Sequence, residues 1–435
     1  MFCRSRTKRY SREYGSMTDA RKRKKLLIVE RKLVHNRGHH HTQISALRMY
    51  LPDHETSFVA GETYDGFLGA AAGKLGGKSI KLAKLRSRLL HGNLFERLGA
   101  AFAAIKSAHT IKLPLSAFGR QLAEICQSLQ LGAGDLVIVP TAELDTLESA
   151  VELTAILGDA APRICLRFLN SELGDRNERL RSKRLDAILA KLPANIFLFT
   201  ETEELAVHFR EIFNMPVEGG FYLPCSMHIA MIPGTGIDRG DRLRIGVFGE
   251  PRPEKGSRRL AGIVAALTKL TETRAVPPLD FIIQGSMADF REGGVYAALQ
   301  EFQKGERNVF VSPQDNRLSP EEFEQLFHSV DAVLLPYETA IYSLQGSGVV
   351  QDAIAAHKPV IHTRGMSMMA LLSHGNGVPA TTDQEFAEAV LRVAADPLSF
   401  QEGTARAAAY FEDVLAANPL LRVLHTSLHD RQQGS

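Results

Sequence analysis

What constrains this chain most is an order: short apolar runs alternate with longer amphipathic stretches from end to end. That is the pattern of an α/β protein, parallel strands joined by crossover helices. In the first half, strands are predicted at Leu26–Glu30, Ser57–Ala60, Leu136–Pro140, Arg163–Phe168 and Asn195–Thr200. Between them lie the helical stretches Leu147–Leu157 and Glu178–Lys191. A second series places strands at Leu243–Phe248, Asp280–Gln284, Val309–Val311, Ala332–Leu335 and Pro359–His362. Its helices fall near Arg258–Leu270, Gly294–Gln303, Pro320–Ser329, Val349–Ala356 and Gln384–Ala394. The stretch "MIPGTGIDRGD" between the series has the Gly and Pro content of a linker. A chain of 435 residues then divides into two doubly wound, Rossmann-like domains, 26–235 and 236–398. Ligands of such sheets bind beyond the carboxyl ends of the strands, so a cleft between two facing sheets is the expected site.

Composition narrows the class. Apolar residues make up 44% and charged residues 23%, which is globular rather than disordered composition. No run approaches the roughly 18 apolar residues of a membrane span. Cys3, Cys126, Cys165 and Cys225 are scattered, which argues against a disulfide scaffold or zinc cluster and fits a reducing, cytoplasmic setting. The overall charge of +3 hides an asymmetry: residues 1–25 balance at +8, leaving −5 for the other 410. This tail has no apolar signal-peptide core and reads as solvated disorder; Met17 offers a later start within it. Nucleic-acid binding is not expected, because the body is acidic and no aromatic-basic module is present.

Residues 74–90, "KLGGKSIKLAKLRSRLL", carry Lys74, Lys78, Lys81, Lys84, Arg86 and Arg88 with no acid. Their leucines define no sharp face. They form either an interfacial helix on an anionic membrane or an ordinary surface helix with solvated cations.

Two motifs carry the chemistry. In "RIGVFGEPRPEKGSRRLAGIVAAL" a buried strand runs into Gly249, a loop with Arg252 and Lys255, then Gly256 and a helix. The glycines admit close approach of backbone amides, and two cations beside a helix start neutralise a diphosphate. The plainer alternative is a strand-loop-helix turn with solvated charges. About ninety residues on, "DAVLLPYETAIYSLQGSGVVQDAIAAHKPVIHT" places a strand before a polar loop, and Gly346, Ser347 and Gly348 open a helix as a second anion cradle. Asp352, about one turn in, either accepts from vicinal ribose hydroxyls or serves as a first-turn carboxylate.

Together the two motifs resemble those of the retaining GT-B glycosyltransferases that use nucleotide-sugar donors, of the family 4-like kind. In that family "G-R-L-x-P-E-K-G" supplies an Arg and a Lys for the donor diphosphate, and an E-x7-E element precedes "A-x-G-K-P-V-I". "GEPRPEKG" and "AAHKPVI" stand in the same places here. "RGHHHTQISAL", "FTETEELAVHF" and "YSLQGSGVVQDA" are similar to one subgroup. The departures are specific. Glu250 replaces the usual Arg, so Arg252 must substitute, while Lys255 keeps its place. The second acid of E-x7-E is Asp352; the first is Leu344, which binds no sugar hydroxyl, leaving Glu338 as a candidate replacement. His357 stands for the usual Gly.

The resemblance implies further contacts. The loop after the first strand would face donor and acceptor, with Gly38 close to the phosphates and His39 or His40 bonding a leaving phosphate or acceptor hydroxyl. Surface or core histidines are the alternative; a metal site is not expected, since sequence neighbours rarely converge on one ion. Gly285 would let the chain pass the nucleotide, and Pro313 and Gln314 would hold the base, unless both are plain turns. Residues 399–435 would cross back onto the first domain. The implied reaction moves a sugar from a nucleotide-sugar donor to a hydroxyl on a glycan or lipid-linked acceptor, as in polysaccharide biosynthesis. Arg252 and Lys255 would act as catalytic groups on the leaving diphosphate. Neither metal nor cofactor is implied. Competing classes are a degenerate GT-B-like binding or scaffold protein and a sugar-nucleotide epimerase; an oxidoreductase would want G-x-G-x-x-G after the first strand.

Overall fold

The computed structural model describes residues 23–35, 40–75, 85, 88–89, 92–106, 117–226, 242–285, 290, 295–302, 309–314 and 318–426. Gly38, His39, the basic tail before residue 23, the proposed linker and most of 74–90 lie outside the described residues.

Two parallel sheets organise the chain. The first holds β1 (Lys25–Val29), β2 (Glu55–Gly61), β3 (Gly73–Leu75), β4 (Leu136–Ala142), β5 (Arg163–Phe168), β6 (Ile196–Thr200) and β7 (Val217–Glu218). Its strand order is β3-β2-β1-β4-β5-β6-β7. The second holds β8 (Leu243–Val247), β9 (Leu279–Gln284), β10 (Val309–Gln314), β11 (Ala332–Leu335), β12 (Val360–Thr363) and β13 (Gly377–Ala380), in the order β10-β9-β8-β11-β12-β13. Each order reverses direction once, between β1 and β4 and between β8 and β11. Those are the two switch points where crevices open at strand ends.

Both faces of each sheet are covered, which is why the strands read as near-continuous apolar runs. Alternate residues of β1 part to opposite sides: Leu27 and Val29 join one core with Val137, Leu166 and Leu198. Leu26 and Ile28 join the other, with Ile44, Leu47 and Phe199. The Pro419–His425 helix adds Leu420 and Val423 to that second core. Asn418 Nδ2 donates to the Tyr222 carbonyl at 3.1 Å, and Arg422 pairs with Glu218 at 2.8 Å. The last described helix thus lies on the first sheet's domain, after the Gln401–Ala416 helix has packed against the second.

The elements differ from the sequence expectation in three ways. The Leu144–Leu157 helix begins one turn before Leu147, where the Glu143 amide donates to Thr146 Oγ1 at 2.7 Å. β10 continues through Pro313 and Gln314 instead of ending before them; a proline is tolerated there because β10 is an edge strand. β3, β7 and β13 are additional short strands at or next to sheet edges. No helix among the described residues is long and apolar enough to cross a membrane.

Candidate active site

The crevice between β8 and β11 gathers most of the second domain's candidate residues. After β8 the chain turns at Gly249 (φ 92°) and again at Gly256 (φ 75°), both in the region that favours glycine. The Gly249 amide donates to Gln284 Oε1 at 2.7 Å. Gly285 donates to the Gln314 carbonyl at 2.7 Å, and a Cβ on it would press Pro251. Gly256 packs so tightly on the Pro336 carbonyl that a Cβ would overlap it. The Glu338 amide then donates to the Glu254 carbonyl at 2.9 Å, fastening the two loops of the crevice together. Glu338 itself projects into solvent.

Inside this frame Lys255 is half-buried with its ammonium against the α-carbon of Gly249 and 5.9 Å from the centre of the Tyr337 ring. Burial, then the neighbouring Arg252 charge, push its pKa down to about 8, against a partial pull upward from Glu250 and Glu254. Among the described residues no carboxylate comes within ion-pair distance of it. Arg252 pairs at 3.3 Å with Glu254, and its Nε is buried without a hydrogen-bond partner among the described residues. Glu250, which displaces the family's Arg, is exposed. Lys255 thus stands without an ion pair among the described residues in a partly desolvated crevice, beside Arg252, whose own charge is met by Glu254. An anion would relieve that imbalance.

Tyr337, which sequence reasoning did not single out, joins the two motifs. It is 2% exposed, and its hydroxyl lies 3.4 Å from Ser347 Oγ, so Lys255 and Ser347 meet around one ring. The "LPY" at the end of β11 was the available signal.

The helix start at Gly346–Gly348 is already engaged. The Ser347 amide is directed at Met368 Sδ, 3.1 Å away. Gly346 backs onto the Glu201 carboxylate and Gly348 onto Cys225, both from the chain before β8. Asp352 is 5% exposed; burial raises its pKa to about 7 although Ser226 hydrogen-bonds it. So buried, this carboxylate is not open to a ribose in this structure. Leu344, at the first acid position of the motif, packs against the core of the first domain, and its carbonyl accepts from Thr202 Oγ1 at 2.6 Å. Gln351 Nε2 donates to Glu201 Oε1 at 3.0 Å, and Glu201 in turn holds the fully buried Arg167 at 2.8 Å. The motif's missing acid has thus become a domain contact.

Across the cleft, Glu30 directly follows β1 at the other switch point. It is fully buried, which alone would raise its pKa; hydrogen bonds and charge from His40, with Thr141 and the Lys32 amide, hold it below the usual carboxylate range instead. Thr141 Oγ1 donates at 2.6 Å, and His40 Nδ1 stands 3.5 Å from Glu30. A polar cavity of about 680 Å³ opens beyond β4 and β5, lined by Arg88, Glu143, Asn170, Glu172, Gly174, Asp175, Arg176 and Asn177. Among the described residues no group of three His, Cys, Asp or Glu is placed to hold a metal ion.

No family model and no curated protein sequence matches the chain. Solved structures do. A glycosyltransferase from Rickettsia africae superposes with a TM-score of 0.59 at 12% identity, over 95% of this chain and 99% of that one. The E. coli trehalose-6-phosphate structure bound with UDP-2-fluoro glucose gives 0.58 at 15%, over 94% and 99%. Anabaena HepE in complex with UDP and glucose gives 0.55 at 14%, over 92% and 98%. At these identities the likeness speaks for architecture: two parallel-sheet Rossmann-like domains, covered along nearly the whole chain, form a GT-B fold.

Proposed function

We propose that this chain is a glycosyltransferase that moves a sugar from a nucleotide-sugar donor to an acceptor hydroxyl. The observation that carries the proposal is the unneutralised Lys255 beside Arg252 at the β8–β11 switch point. A donor diphosphate has the charge to answer Lys255 there, and structural neighbours contain UDP or a UDP-sugar analogue.

In the reaction the bond from the anomeric carbon to the diphosphate oxygen breaks while the acceptor oxygen bonds the same carbon. The acceptor's proton passes to the departing phosphate oxygen. Lys255 and Arg252 stabilise the charge growing on the diphosphate, an interaction strongest as the bond breaks. Attack from the leaving-group face retains the anomeric configuration and requires no side-chain nucleophile. His40, fixed by Glu30, stands ready at the first domain's switch point to bond a sugar or acceptor hydroxyl. Asp352 would meet the ribose after Ser226 releases it, and Gly285, Pro313 and Gln314 would border the base.

Two observations favour a second reading, a nucleotide-binding protein without transfer: Leu344 is spent on a domain contact and Asp352 is covered. One experiment separates the readings. The protein is incubated with a panel of nucleotide sugars and sugar or lipid-linked acceptors, and nucleoside diphosphate and glycoside are quantified. Release coupled to a glycoside with the donor's anomeric configuration supports transfer. Tight binding with no turnover across the panel supports the second reading.

A further inference from the structure

The Leu94–Lys106 helix exposes more apolar surface than any other described helix. Leu94, Phe95, Leu98 and Phe102 are 69%, 84%, 55% and 78% exposed, whereas no other described helix carries more than two large exposed apolar side chains. At about 3.6 residues per turn these four share an arc of roughly 100°. Ala100, on the opposite side, is buried at 3% and faces the domain. Glu96, the helix's single acid, is drawn away from the apolar arc: it accepts from the Asn93 amide at 2.7 Å and from Asn177 at 2.8 Å. The chain leading into the helix carries six cations between Lys74 and Arg88 and no acid.

We propose that this helix face docks the protein on an anionic lipid bilayer. The four apolar side chains enter the acyl boundary, and the excess of Lys and Arg in the sequence just before them favours negative headgroups, the pairing that suits interfacial helices. A protein partner would need a matching acidic rim around an apolar pocket, whereas a bilayer of anionic lipid supplies both properties at once. Asn177, which ties Glu96, also lines the polar cavity beyond β4 and β5, so docking brings that cavity to headgroup level. An acceptor carried on a lipid would enter there; that consequence rests on the glycosyl-transfer reading, whereas docking itself does not.

The test is sedimentation of the full chain with vesicles of phosphatidylcholine alone and of phosphatidylcholine with about 30% phosphatidylglycerol. The wild type is expected to pellet with the mixed vesicles, stay in solution with the neutral ones and be released by high salt. Phe95→Ser/Phe102→Ser should lower partitioning roughly tenfold or more without changing the melting temperature. Ile212→Ser, another exposed apolar position, should leave partitioning unchanged. Failure of the wild type to bind mixed vesicles, or equal binding by the double variant, overturns docking. So does a vesicle-free dimer that the double variant converts to monomer, since a second copy then covers the face.

Discussion

Lys255 lies across the α-carbon of Gly249, in the space where any other residue would place its Cβ. A positive φ and a lysine ammonium thus depend on the same position. Gly249→Ala should cost about 1–2 kcal/mol of stability through backbone strain and also expel Lys255 from the crevice. Nucleotide affinity is then expected to fall tenfold or more, measured by calorimetry on protein shown to be folded. Lost stability with unchanged affinity would leave Gly249 a purely conformational role.

The pH dependence follows from Lys255, whose pKa is pushed down to about 8. Between that value and about 10.4, where a free lysine titrates, the unfolded chain holds more protons, so this group's contribution to stability rises with pH across that window. Anion binding runs the other way. It needs the ammonium, so diphosphate affinity should decline above about pH 8 and binding near pH 8.5 should take up protons. Calorimetry in buffers of different ionisation enthalpy measures the uptake, and Lys255→Arg, always charged, should abolish it. Equal heats in both buffers would contradict the lowered lysine.

Asp352 has the opposite sign. Its pKa of about 7 in the folded chain exceeds the unfolded value, so the folded state binds more protons from about pH 4 to 7 and stability falls as pH rises through that window. Asp352→Asn removes the buried charge. It should raise the melting temperature by several degrees at pH 8 and change it little at pH 5, with about 4 kcal/mol as the upper limit from a three-unit difference. An equal shift at both pH values would show that Asp352 is not the titrating group.

Much of the architecture was legible in the residues. β4, β5, β8 and β9 are buried on both faces and therefore appear as apolar runs. β7 and β13, with two and four residues, are too short for any periodicity to register. The turn that carries Gly249, Arg252, Lys255 and Gly256 after β8 was readable, because glycine and paired cations bear on local backbone and charge. Tyr337 was not, since its meaning lies in standing between Lys255 and Ser347, which are distant in sequence. Nor could Leu344 be read as a domain contact, because Thr202 and the core it meets lie some 140 residues away. The exposed face of Leu94–Lys106 was equally hidden: an amphipathic helix declares an apolar side, not whether that side is covered.

On the proposed reading, a nucleoside diphosphate neutralises Lys255 beside Arg252 at the β8–β11 crevice. Titration of UDP and its purine counterparts into the wild type and into Lys255→Ala at pH 7 decides the matter. At least one nucleotide should bind the wild type, and the variant should bind it tenfold or more weakly at the same melting temperature. Equal affinity for both proteins, or no nucleotide bound by the wild type, would exclude Lys255 from diphosphate binding.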